Sequence, residues 1–360
     1  MNSFESLVSL NLIPQIGSVR LGHLLKYFNK PQEIFNASRQ SLEAVVGGRI
    51  SENIVSFDTR NLDNDLAQAK KAGLEIITLF DQGYPQNLKP IPGLPIVLYV
   101  SGKITEADNL SLGIVGSRRA SLYGLSSAEK FAAELALNNL TIVSGMARGV
   151  DTYAHRGALK AAGRTIAVMG SGFNHIYPSE NRGLAEQIAR SGAVVSEFPM
   201  DTKPLAQNFP RRNRLISGLS LGVLVTEAAR NSGALITVDF ALEQGREVFA
   251  LPGRIDTCTS MGTNELLKQG AKLVTCSEDI LEELNSGVSV KDEQANPEIA
   301  ENIVCAEEDM LYNCINRNAL AIDDLVEKTS LTSSQISSLI LRLQFKKLIK
   351  ELPGKYFIRS

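Results

Sequence analysis

The stretch SLGIVGSRRASLYGLSSAEKFAAELALNNLTIVSG, residues 111–145, holds one complete structural unit. LGIVGS (112–117) is an apolar, β-branched run without alternation. Such a run suits a strand covered on both faces. SSAEKFAAELALNN (126–139) has helix length and composition, and TIVSG (141–145) reads as a second buried strand. Strand, helix and strand in this order make a parallel crossover, which is right-handed in nearly all proteins. The rhythm continues through TIAVMG (165–170), AVVSE (193–197), GVLVTEA (222–228) and EVFALPG (247–253), with GALITVDFALEQG (233–245) as another helical segment. The fold class that follows is α/β, a doubly wound parallel sheet.

The flanks differ in character. Residues 1–75 read as a small helical domain. Within it, IPQIGSVRLGHLLKYF (13–28) has the form of a SAM or helix-hairpin-helix-like unit. A glycine turn of that kind presents backbone amides to a phosphate; plain helix packing is the other reading. The sheet domain takes 76–285. Residues 286–302 are polar and read as a linker. Residues 303–360 contain AIDDLVEKTSLTSSQIS (321–337), spaced as helix, turn and helix, and end in PGKYFIR (353–359), a plausible wing. That order predicts a winged helix. Its would-be recognition helix, 332–344, carries Arg342 as its single arginine, so protein docking stays open beside DNA binding.

Bulk composition excludes several classes. With 44% hydrophobic residues in 360, the chain can build a real core and global disorder is ruled out. Lysines and arginines (37) balance acids (39), so net charge argues neither for nor against nucleic acid and only local clustering can. No run approaches a membrane span. The N-terminus MNSFESLVSLNLIPQIG lacks the basic and long apolar regions of a secretory leader, so a cytoplasmic protein is expected. Cys258, Cys276, Cys305 and Cys314 have no CxxC spacing, and His23, His155 and His175 have no zinc-like spacing. No metal and no cofactor is expected.

In an open parallel sheet, ligands bind beyond the carboxyl ends of the strands. Those ends here carry Gly116, Ser117 and Arg118; Ser144, Gly145, Met146 and Arg148; Gly170, Ser171 and Gly172; and Ser232 and Gly233 at a helix start. Small residues let backbone N–H groups approach an anion, and helix N-termini add partial positive charge. A ligand with several phosphates fits such a rim. A dinucleotide does not, because GIVGSRRAS (113–121) is not GxGxxG and GSGFNHIY (170–177) stops after its second glycine. Acyl transfer also fails for want of a GxSxG elbow. Asp151 and His155 stand four apart on one helix and can touch. The reading preferred over catalysis puts Asp151 in a helix first turn and packs His155 beneath the rim. No catalytic set assembles.

One further stretch belongs to the rim: NFPRRNRLISGLS (208–220). Pro210 suits a first helical turn. Leu215, Ile216 and Leu219 anchor the helix and hold Arg211, Arg212 and Arg214 in place. Asn208, Phe209 and Asn213 flank them, with Phe209 expected as an exposed ring. Arginines beside an aromatic suit single-stranded nucleic acid, because charges track phosphates while the ring stacks a base. At least one of these arginines, Arg214 first, is expected to pair internally with Glu197 or Glu227.

Seven strings, GIVGSRRAS, IVSGMARGVDTYAHRGAL, TIAVMGSGFNHIYPSEN, VVSEFP, NFPRRNRLISGLS, VTEAARNSGALITVDFALEQGREVFALPG and GTNELLKQGAKLV, resemble in order and spacing the DNA-processing protein A (DprA, or Smf) family. The resemblance covers about residues 75–275. It implies an extended Rossmann-like sheet, with a helical N-terminal and a winged-helix C-terminal domain in some members. It implies a non-enzymatic protein that protects incoming single-stranded DNA during natural transformation and loads the RecA recombinase onto it as a homodimer. Carried over, the pocket would use Gly116, Ser117 and Arg118, then Ser144, Gly145 and Met146, then Phe209 through Arg212. Met146 and Ala147 depart from the residues common there, which alters the pocket wall. The rival reading is a nucleoside-monophosphate phosphoribohydrolase of the lysine-decarboxylase-like group. LPGRIDTCTSMGTNEL (251–266) only partly echoes its PGGxGTxxE motif, because an insertion splits the two halves.

Overall fold

The computed structural model describes residues 1–287, 320–321, 325, 329, 336, 339–340, 343, 349–352 and 356–359. The chain divides into two compact units, Met1–Val288 and Ser289–Ser360.

The first unit opens with helices α1 (Ser3–Leu12), α2 (Ser18–Phe28), α3 (Pro31–Asn36), α4 (Arg39–Val46), α5 (Gly48–Val55) and α6 (Thr59–Lys71). Asn2 starts α1 with a capping box, its side chain accepting from the Glu5 amide while Glu5 accepts from the Asn2 amide, both at 2.8 Å. Strands β1 (Glu75–Thr78) and β2 (Val97–Gly102) follow. The rest alternates strand and helix: β3 (Ser111–Val115), α7 (Leu122–Leu137), β4 (Thr141–Ser144), α8 (Val150–Lys160), β5 (Thr165–Val168), α9 (Arg182–Ser191), β6 (Ala193–Ser196), α10 (Asn208–Leu219), β7 (Gly222–Val225), α11 (Gly233–Glu243), β8 (Glu247–Ala250), α12 (Met261–Lys268), β9 (Lys272–Leu273) and α13 (Ser277–Gly287).

All nine strands form one sheet in the order β1-β2-β6-β5-β4-β3-β7-β8-β9. The six strands expected from the sequence all pair in parallel. Their residues are buried on both faces, apart from Glu247, which is why they read as unbroken apolar runs. The sheet extends further than expected at both edges: β9 pairs parallel to β8 at one, and at the other β2 pairs antiparallel to β6 and β1 antiparallel to β2. Winding outward from β3, the chain first runs through β4, β5 and β6 and then reverses through β7, β8 and β9. The reversal places a topological switch point between β3 and β7, the position where open α/β sheets form a ligand crevice.

Helix α7 shows how sequence sets the layers. Ser121 caps it, accepting from the Gly124 amide at 3.3 Å. Gly124, Ala128, Phe131, Ala132 and Leu135 recur at helical spacing and are buried. This stripe and α8 pack on Leu112, Ile114 and Ile142 at one face of the sheet. On the other face, Leu215, Ile216 and Leu219 of α10 and Val238 of α11 pack on Val115, Val143 and Val223. The N-terminal helices share a core with Val97, Tyr99 and Met200 at the sheet edge. Asp65 of α6 fixes that contact, accepting from the Tyr99 hydroxyl at 2.6 Å and from the Met200 amide at 2.9 Å.

In the second unit, β10 (Leu320–Ala321), β11 (Ile349–Leu352) and β12 (Tyr356–Arg359) form an antiparallel sheet in the order β10-β12-β11. The β11–β12 hairpin coincides with the expected wing. Leu325, Ile336, Leu339, Ile340, Leu343 and Phe357 are buried. The linker expected at 286–302 beyond Gly287, and most of the expected helix 332–344, lie outside the described residues.

Candidate functional site

A cavity of about 710 Å³ opens at the switch point. The turn after β3 supplies Gly116, Ser117, Arg118 and Arg119; the first turn of α10 supplies Phe209, Pro210, Arg212 and Asn213; the start of α11 supplies Ser232 and Gly233. Ser232 caps α11 through a contact from the Ala234 amide at 3.3 Å, and Gly233 is exposed. The turn after β3, the first turn of α10 and the N-terminus of α11 therefore face one space. A small cleft beside it is lined by Arg118, Gly145, Arg148, Tyr177 and Phe209.

Phe209 organises the site. Its ring is half-buried rather than fully exposed, and Gly170 lies beneath it. A Cβ on Gly170 would meet the ring at 2.9 Å, so glycine is required there for the ring to settle. The Arg118 guanidinium stands 5.2 Å from the ring centroid and that of Arg212 stands 5.9 Å away. Tyr177, 39% exposed, packs against Phe209 with centroids 5.7 Å apart. Arg148 lies 5.9 Å from the Tyr177 ring and holds Glu180 through both carboxylate oxygens, at 2.5 and 2.8 Å. Arginines and aromatic rings thus interleave along the rim.

The three arginines of the α10 turn have three different roles. Arg212 is only 3% exposed and forms the floor. It donates to the carbonyl of Gly145 at 2.5 Å and to that of Val168, with Asn213 accepting from its Nε at 3.2 Å. Gly145 leaves the room for this: a Cβ there would lie 2.5 Å from the guanidinium carbon. Burial lowers the Arg212 pKa to about 10, so it stays charged at neutral pH. Arg214 pairs internally, as expected from the sequence, and of the two carboxylates offered, Glu197 and Glu227, its partner is buried Glu197. Arg211 is exposed, reaches the same carboxylate at 3.3 Å and lies over the Phe198 ring.

The cavity gathers Gly116, Ser117, Arg118, Phe209, Arg212, Asn213, Ser232 and Gly233 of the expected set, and the cleft adds Gly145 and Arg148. The remaining expected residues support it from behind or lie elsewhere. Ser144 is buried and donates to the Ile114 carbonyl at 2.6 Å, and the Met146 side chain is fully buried. Gly172 is buried against the backbone of Pro199 and Met200, and the Asn208 side chain donates to the Lys203 carbonyl at 3.1 Å. Tyr177 was not expected. Its signal in the sequence is an aromatic placed just before a proline in a turn that follows a strand.

Asp151 and His155 behave as structural groups. Asp151 accepts from the Gly145 and Ala147 amides at 3.2 and 3.3 Å, which fixes the turn after β4. Burial raises its pKa despite the nearby Arg212 charge. His155 turns away to Thr165, with Nδ1 2.7 Å from the hydroxyl. Burial, and then the Arg212 charge, hold the His155 pKa at about 3 rather than 6.5. An unfolded chain takes up this proton near pH 6.5, whereas the folded one resists it until about pH 3. The stability from neutral His155 is therefore complete above pH 6.5 and falls as pH drops toward 3, by at most about 1.4 kcal/mol per pH unit. Urea melts at about pH 7 and about pH 5 should show a smaller stability loss for His155→Gln than for the parent. Asp151 titrates with the opposite sign but is present in both proteins, so the difference isolates His155.

Among the described residues, no group of three or more His, Cys, Asp or Glu side chains gathers to hold a metal. No described helix is long and apolar enough to cross a membrane. The split motif is closed on itself, Asn264 exchanging hydrogen bonds with the Gly253 amide and carbonyl at 3.1 and 3.0 Å, and neither residue lines the cavity.

Comparison with known proteins agrees with this architecture. The family described as DNA recombination-mediator protein A matches residues 75–285, and the DprA winged helix domain matches 295–355. Protein Smf of Escherichia coli is 39% identical over 313 residues, covering 86% of this chain and 83% of that protein. The X-ray structure of DprA from Streptococcus pneumoniae superposes with a TM-score of 0.70 at 33% identity, over 79% of this chain and 98% of that one. DprA from Helicobacter pylori, whose structure is described for its single-stranded DNA binding mode, superposes with a TM-score of 0.53 at 32% identity, over 59% of this chain and 97% of that one. With its Rossmann-like sheet and a winged-helix domain at the C-terminus, the chain belongs to the DprA/Smf family of DNA recombination-mediator proteins.

Proposed function

We propose that this protein binds single-stranded DNA in the switch-point cavity, without transforming it. In this reading it protects incoming DNA during natural transformation and hands it to the RecA recombinase as a cytoplasmic homodimer. The observation that carries the binding is the interleaving of Arg118, Phe209, Tyr177 and Arg148 above the buried charge of Arg212. Guanidinium groups take phosphates, while Tyr177 offers a ring face to an unstacked base. A duplex keeps its bases stacked inside and cannot use that ring. The handover to RecA, the dimer and the transformation role rest on family membership.

Oligo(dT) should bind in preference to duplex. The affinity should fall with salt at about −0.7 per neutralised phosphate, for about three to five phosphates. Arg118 is exposed and touches the Phe209 ring, so it can be removed without opening the core. Arg118→Ala should weaken oligo(dT) binding by about 1–3 kcal/mol, the worth of a charge-assisted hydrogen bond, while leaving the melting temperature near the parent's. Equal binding by parent and variant in fluorescence anisotropy would remove the cavity from consideration as the DNA site.

A further inference from the structure

A second groove, of about 680 Å³, lies between the N-terminal helices and α10. One wall is the turn that opens α2, with Gly17, Ser18 and Arg20, followed by His23 one turn on; Arg211 lines it as well. Arg211 neighbours Pro210 and Arg212, which line the switch-point cavity. The first turn of α10 therefore serves both spaces.

The groove's chemistry is that of a phosphate-backbone site. Gly17 is the N-cap of α2 and has no side-chain cap, so the first amides of an 11-residue helix are left for an outside acceptor. Arg20 donates to the Gln15 carbonyl at 2.5 Å, a neutral partner that leaves its charge uncancelled. Arg211 and Arg214 share the single carboxylate of Glu197, which leaves about one positive charge over. Among the described residues, no acidic side chain lines the groove. A small polar ligand would need convergent hydrogen-bonding groups, and the walls here offer valines and glycines between the charges instead.

We propose that this groove is a second backbone-binding segment, through which a single DNA strand leaving the switch-point cavity passes Arg211 and continues onto the α2 turn. The N-terminal helices then lengthen the DNA footprint. This inference rests on the single-stranded DNA reading of the cavity, and the test separates the two. Affinity is measured for oligo(dT) from about 4 to about 16 nucleotides, the range of single-strand site sizes. The proteins compared are the full-length parent and an Arg20→Ala/His23→Ala double variant. Both side chains are exposed, so the variant should fold, which its unfolding midpoint checks.

The parent's affinity should climb with length. The variant should match the parent on the shortest oligonucleotides and fall behind on the longest by about tenfold, on the order of one charge-assisted hydrogen bond to a phosphate. Its salt slope on long oligonucleotides should be shallower by about 0.7 for each phosphate it no longer neutralises. Arg20→Lys/His23→Ala, which restores one charge, should recover part of the loss. A variant that tracks the parent at every length, or is weakened equally at all lengths, overturns the second segment while leaving the cavity reading intact. A parent that binds no oligonucleotide at any length overturns both.

Discussion

An Arg212→Ala protein is expected to lose about 3–5 kcal/mol of folding stability, read as a lower denaturant midpoint with an unchanged slope. The size follows from what the guanidinium touches. It is 3% exposed and donates to two buried carbonyls, those of Gly145 and Val168, at the ends of β4 and β5. Removing it strands both acceptors. It also leaves Asp151 buried without the positive charge that acts on it most strongly. The turn after β4 hangs on that carboxylate, so the cavity floor loosens together with the fold. Oligo(dT) binding should fall more than for Arg118→Ala, because charge and floor disappear together. Arg212→Lys keeps a charge but not the planar fork, so it should recover only part of the stability. A stability loss below about 1 kcal/mol for Arg212→Ala would show that the guanidinium does not hold the strand ends together.

The reading of the sequence succeeded where burial leaves a local trace. Strands β3 to β8 lie between two helix layers, so almost every residue in them must be apolar, and the runs stand out. Strands β1 and β2 left a weaker trace. EIIT has four residues, and VLYVSG follows a proline- and glycine-bearing loop outside the strand–helix rhythm. They share a core with the N-terminal helices, a long-range contact that no local pattern encodes. The rim was legible for a similar reason, since strand ends in an open sheet converge whatever the loops contain. The division of labour among Arg211, Arg212 and Arg214 was legible only in part. Neighbouring residues on a helix point about 100° apart, so each guanidinium meets a different wall. Gly145 and Val168 come from strand ends far away in the chain, and only an internal pairing of Arg214 with Glu197 or Glu227 could be anticipated. Ser144 and Met146 carry the right motif, but their side chains lie inside the fold. Tyr177 went unnoticed because its partner, Phe209, lies on a different strand–helix connection.

Glu197→Gln should separate stability from binding. Glu197 is 3% exposed and faces two guanidinium groups, Arg214 buried beside it and Arg211 at the surface. The substitution keeps the shape but removes the negative charge. Arg214, already lowered in pKa by burial, then sits in the fold with a neutral neighbour. Breaking a buried pair in this way costs about 3–5 kcal/mol, and the amide oxygen, which can still accept from Arg214, should bring the loss to the lower end. Binding should move the other way. Arg211 is no longer drawn to a carboxylate, and the positive field over the α10 turn grows by about one charge. Oligo(dT) affinity should hold or rise, its association rate should increase, and its dependence on salt should steepen. Glu197→Lys adds a third positive charge to a buried site and should not fold. A Glu197→Gln protein with parental stability would mean that Arg214 has another counter-charge. One with reduced stability and reduced affinity would mean that Glu197 positions Arg211 for DNA rather than holding it back.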